Sequence, residues 1–241
     1  MDGTEAGGTI TIDNRRLGSE FLYPDLIVID KRMTPAPSRR SAAESAVLAI
    51  DNALAALLDE EPAPMKDAFV HASLRFISSS LSEYVRRPVS RKHSHAMVSA
   101  GVFAAVAAAN ASPGLVRMLS EELEKETKIS RAVFAGILLP ALLNRTQQQN
   151  SRIRDELLLA AAGMEVYAKT PPERRSERGV EAVCAFLRET KKELPASLDE
   201  LSIPFYRLEK ASENASARPD ARFARDQFMD VLELSEKGGT K

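Results

Sequence analysis

The spacing of apolar residues changes character near Met33. Before it, Thr9 to Asp13 alternate between polar and apolar, the period of a half-buried strand. Asn14 to Gly18 is turn-like, and Leu26-Ile27-Val28-Ile29 is a short apolar run of the kind a buried strand carries. After Met33, apolar residues recur at helical spacing in blocks punctuated by proline. Residues 41–58 make the first block, ended by Pro62 and Pro64. Residues 65–85 make the second, with Phe69, Leu74, Phe76, Ile77 and Leu81 on one side, and Pro88 breaks it. Residues 94–109 are apolar almost all round, which predicts a central helix. A Ser112-Pro113-Gly114 break precedes helices over 115–126 and 130–143. Further helices are predicted over 151–168, 179–192, 205–217 and 221–234. The mixed-charge run 171–179 reads as a solvated loop. Residues 193–204 read as two turns around a short helical piece, with Ser197 and Asp199 placed to cap it. Residues 235–241 are expected to fray.

Composition sharpens this picture. The 241 residues are 44% hydrophobic, rich in Ala and Leu, and only 5% aromatic, which favours packed helices over sheets and suffices for a sizeable core. The expected fold is mainly α: an antiparallel multi-helix domain over 33–241, preceded by a short β hairpin within 1–32. A net charge of -1 gives no electrostatic case for nucleic acid or an anionic membrane surface as partner. The lone Cys184 rules out an internal disulfide and suits a reducing compartment. The start MDGTEAGGT is polar and acidic, unlike a signal peptide, and no long charge-free apolar run is present. A cytoplasmic protein without a membrane partner is expected.

Chemistry is sparse in the residues themselves. The glycine-rich GTEAGG at residues 3–8 has no strand before it, so it makes a poor phosphate loop and a better disordered terminus. His93 and His95 are two apart and would point to different faces of a helix, a poor metal pair; both read as first-turn residues. His71, within an amphipathic block, reads as a half-buried packing residue. Cys184 lies in AVCAFL, an apolar face, and reads as an inert core thiol. No Ser/His/Asp order, metal-binding His-Glu-x-x-His or paired-carboxylate spacing stands out, so catalytic residues are left unassigned.

Six segments, in order, carry a resemblance. PDLIVIDKRMT (24–34), ALAALLDEEPAPMKDAFVHASLRFI (53–77), NASPGLVR (110–117), AVFAGILLPALL (132–143), LPASLDELSIP (194–204) and KASENASARPDARF (210–223) together resemble the C-terminal half of iron-containing (group III) alcohol dehydrogenases and maleylacetate reductases. The resemblance implies a helical domain of the dehydroquinate-synthase-like, iron-dehydrogenase C-terminal type. In that family an Asp, a His one helical turn later and two further His hold the catalytic metal. The matching positions here are Leu48, Asn52, Arg117 and Arg131. Maleylacetate reductases also lack the Asp; the loss of the other three ligands is the departure that matters. Guanidinium groups offer donors and positive charge where a divalent ion needs lone pairs. No metal is expected. The family's nucleotide-binding half would precede residue 9, and about 30 residues cannot build the βαβ units that cradle a dinucleotide; no NAD(P) or other cofactor is expected for this chain alone.

Two readings of the arginines stand side by side. Arg117 and Arg131, with Asn52 and Glu121, could form a pocket for a carboxylate or phosphate at the former metal position. Alternatively, Arg117 pairs with Glu121 at i,i+4 and Arg131 with a nearby Glu, as surface helices often do. Glu121 stands where many family members carry another active-site histidine, and reads either as a solvated helix residue or as a general base. The leading functional expectation is a degenerate, non-redox member: a pseudoenzyme or a protein that binds a small anion. A non-redox enzyme of isomerase or cyclase type in the old cleft is the first alternative. One subunit of a split dehydrogenase is the second. An exposed interdomain face would be covered by self-association or by a partner chain.

Overall fold

The first helical block becomes the helix on which the others pack. In the computed structural model, which describes residues 8–12, 15–30, 32, 36–61, 63–148 and 153–236, helix α1 (Arg39–Leu58) starts at Ser38. The Ser38 hydroxyl accepts the Ser41 amide at 3.1 Å, satisfying one of the orphan donors of a helix start. From Ala42 onward no α1 residue is exposed. The helix is long and apolar enough to cross a membrane, but most of its length is buried inside the protein, the signature of a core helix.

Helices α2 (Pro64–Arg86) and α3 (Arg91–Ala109) form a hairpin against one side of α1. Pro64 opens α2, at the first helical position where its missing N–H costs nothing. The Ser73 hydroxyl donates to the Ala100 carbonyl at 2.9 Å, and Phe103 sits between Phe69 and Phe76, fixing the register of the pair. Helices α4 (Leu115–Thr127) and α5 (Arg131–Gln148) lie on the other side of α1. Helices α9 (Phe205–Ser216) and α10 (Arg225–Glu236) pack on α4 and α5. Helices α6 (Glu156–Ala162), α7 (Met164–Lys169) and α8 (Arg175–Thr190) close the assembly, α8 reaching both α2 and α5. The architecture is mainly α, and Ile50, Leu54, Leu119, Leu123 and Phe134 are buried at its centre. Each such side chain contributes about 1.5–3 kcal/mol of hydrophobic burial.

Several expectations are corrected. The central helix is α1, not α3: α1 has neighbours on both sides, whereas α3 keeps a half-buried stripe of Val98, Val102 and Val106. Strand β1 (Thr9–Ile12) pairs antiparallel with β2 (Arg15–Gly18), so most of the segment read as a turn is itself a strand. Leu26 to Ile29 is not a buried strand: it forms no ladder, and Leu26 and Val28 are 79% and 77% exposed. A strand needs a partner edge, and none lies beside it among the described residues. The single helix expected over 151–168 is two, because Gly163 takes φ 89° between α6 and α7. The charged loop 171–179 is largely helical. Pro172–Arg174 is a 3-10 turn, and α8 follows at once with Arg174–Glu177 and Arg178–Glu181 paired at i,i+3. Ser197 and Asp199 cap nothing; Leu198 begins the single 3-10 turn Asp199–Leu201, with no side-chain bond to it. The glycine-rich start, apart from Gly8, and residues 237–241 lie outside the described residues.

Candidate functional site

The break between α3 and α4 is held by buried charge. The Lys66 side chain is fully buried, its Nζ donating to Asp59 Oδ2 and to the Glu61 carbonyl, each at 2.6 Å. Asp59 Oδ1 accepts the Ser112 amide at 3.4 Å. From there Gly114 starts α4 directly against α1, where a Cβ would stand 3.0 Å from Ala55 Cβ. On α5, Gly136 faces Val47 of α1. The start of α5 is fixed by Glu124, whose Oε1 accepts the Arg131 amide at 2.9 Å, an acidic cap on a helix N-terminus.

This framework turns Arg117 of α4 and Arg131 of α5 toward one carboxylate. Glu121 Oε1 receives Arg117 Nε at 3.2 Å and lies 3.6 Å from Arg131 Nη1. A third guanidinium completes the cluster. Arg218, just beyond α9, donates Nη1 to Glu121 Oε2 at 2.8 Å, and Nε and Nη2 to the Asp220 carboxylate at 2.9 and 3.0 Å. Burial works against the Arg218 charge, but the bonds to Asp220 and Glu121 outweigh it and push its pKa up. The same bonds hold the Asp220 carboxyl below its usual range. Glu122, next on α4, is taken by Lys125 at 2.6 Å.

Beneath the cluster lies Asp51 of α1, 2% exposed. Burial pushes its carboxyl up to about 6; Arg131 opposes the shift and Glu121 adds to it. Its Oδ2 is buried with no hydrogen-bond partner among the described residues. Asn52, 3% exposed, is adjacent, and no hydrogen bond joins its amide to Arg117, Glu121 or Arg131 among the described residues. Of the four residues singled out in the sequence, the fold therefore brings three into contact and leaves the fourth beside Asp51. The two arginines pair with one glutamate and converge on it. Sequence reasoning missed Asp51, Arg218 and Asp220. Asp51 had a signal, the one charge inside an otherwise apolar helix stretch; Arg218 and Asp220 had none beyond their own pairing.

The two arginines also leave donors unused. Among the described residues Arg117 bonds through Nε alone and the Arg131 guanidinium makes no hydrogen bond, though its side chain is only 9% exposed. A metal does not fit here. The positions that the resemblance marks for it carry the buried alkyl chain of Leu48, an amide and two cations. Glu121 is engaged by three arginines, and among the described residues no three His, Cys, Asp or Glu are grouped to share an ion. The histidines lie apart: His71 is half-buried on α2, and His93 and His95 are in the first turns of α3. Cys184 is partly buried, and burial raises its thiol pKa, away from reactivity.

Residues 42–235 match the model of the family described as Fe-containing alcohol dehydrogenase, C-terminal. Among solved structures, the chain is similar to a 1,3-propanediol oxidoreductase (15% identity, TM-score 0.78, 91% of this chain and 58% of that one). It is similar to the maleylacetate reductase from Agrobacterium tumefaciens (16%, 0.76, 98% and 66%). It is also similar to the NADH-dependent butanol dehydrogenase A from Thermotoga maritima (18%, 0.75, 97% and 63%). The chain thus spans 58–66% of the length of these three, and the likeness is one of fold. No curated protein matches the chain by sequence.

Proposed function

Because the chain belongs to the iron-containing alcohol dehydrogenase family, through its C-terminal domain, we propose that it is a member whose metal position has become a pocket for a small anion, without redox chemistry there. The observation that supports this is the unused guanidinium donors of Arg117 and Arg131, buried beside one another at that position. An entering anion would accept the idle N–H groups in bidentate fashion. Metal content and a thermal-shift screen of divalent ions, carboxylates and phosphate test this. The expected result is no iron or zinc near stoichiometry, and a stabilising anion whose effect Arg117→Ala abolishes. Stoichiometric iron or zinc at this site would overturn it.

A second reading, a non-redox enzyme, is favoured by Asp51 itself. A buried carboxyl titrating near pH 6 beside cations is the kind of group that can exchange a proton with a bound substrate. Turnover of a stabilising anion, followed by NMR and lost in Asp51→Asn, would support this reading over simple binding.

A further inference from the structure

Asp51 Oδ2 is a buried acceptor with no donor among the described residues. The Arg131 guanidinium, which feels the Asp51 charge from the neighbouring helix, makes no hydrogen bond to a described residue. Arg117 leaves its two terminal nitrogens without a bond to a described residue. A buried acceptor left without a donor is costly and rare. A molecule that satisfied these groups would present anionic oxygen to the arginines and an O–H to Asp51.

The depth of the site limits the size of that molecule: Asp51 is 2% exposed, and the side chains of Arg117 and Arg131 are 14% and 9% exposed. A carboxylate with a hydroxyl on the adjacent carbon holds both functions within a few atoms. Building on the anion-binding reading above, we propose that the pocket takes a small 2-hydroxycarboxylate. Its carboxylate lies against the terminal nitrogens of Arg117 and Arg131, and its hydroxyl donates to Asp51 Oδ2. The hydroxyl sets the specificity, because a site built to bond an O–H leaves its own acceptor unpaired when the O–H is missing. Asp51 is on this account a binding residue, and Glu121 positions the two arginines.

Calorimetric titration with lactate and with propionate, which share a skeleton and differ in the hydroxyl, tests this on the whole chain. Lactate is expected to bind about tenfold more tightly than propionate. Asp51→Ala should bring lactate down to the propionate affinity and leave propionate unchanged. Asp51→Asn, which keeps the shape and a neutral acceptor, should retain a smaller part of the preference. Equal affinity of the two acids for the unmodified protein overturns the hydroxycarboxylate assignment and leaves the anion pocket standing. A lactate preference that survives in folded Asp51→Ala overturns the role of Asp51. Binding of neither acid, nor of phosphate, overturns both readings.

Discussion

Asp51 is an acidic residue in surroundings that disfavour its charge, and this sets a pH dependence. Its carboxyl has its ordinary value of 3.8 when exposed and is pushed up to about 6 by burial in the fold, so the folded state binds more protons between those values. Asp51 therefore contributes stability that is fully present below pH 3.8 and lost as pH rises through 6, about 3 kcal/mol at neutral pH. Asp67 and Asp220, held low by hydrogen bonds to Arg154 and Arg218, act in the opposite direction, losing their contribution as pH falls. The difference between a variant and the parent isolates the Asp51 share. Asp51→Asn is expected to leave stability nearly unchanged at pH 4 and to raise it by about 1–3 kcal/mol at pH 7.5, read by urea denaturation at both values. An equal change at the two pH values would mean that Asp51 is not desolvated in solution. At this scale the local partner was legible and the distant one was not. Arg117 and Glu121 are one helical turn apart, so their pairing follows from spacing alone. The approaches of Arg131 and Arg218 to the same carboxylate depend on how three elements meet.

Between elements, two glycines hold α4 and α5 against α1 with different clearances. A Cβ on Gly114 would stand 3.0 Å from Ala55 Cβ, whereas one on Gly136 would meet Val47 at an ordinary 3.6 Å. Gly114→Ala should therefore push the start of α4 off α1 and destabilise the protein by about 1–2 kcal/mol. Gly136→Ala, inside a helix with room for the methyl group, should be neutral or stabilising by up to about 1 kcal/mol. Thermal melts of the two variants compare them directly; an equal loss in both would contradict the packing described. If Gly114→Ala also weakens anion binding while Gly136→Ala does not, the placement of Arg117 depends on that contact. The helices themselves were largely readable, because proline and apolar period mark their ends and faces. The misreadings were of another kind. Gly163 sits inside a continuous apolar pattern and only its backbone φ of 89° reveals the break. The run 171–179 looked like loop from its charge, although the same charges are spaced to pair along a helix.

Over the whole molecule, the strip running through Phe21, Leu26 and Val28 is 89%, 79% and 77% exposed. The strip marks the boundary of what could be read from one dimension. The helical class, the succession of helices and the side-chain donor types of Asn52, Arg117 and Arg131, the positions that the resemblance marks, were determined by the sequence, since periodicity, proline placement and side-chain donor type are local properties. Which helix is central, that Leu26 to Ile29 finds no strand to pair with, and that three arginines and a buried aspartate meet around Glu121 were decided only by the tertiary structure. Burial and charge pairing between distant residues depend on which faces come together, and a single helix does not encode the identity of its neighbours.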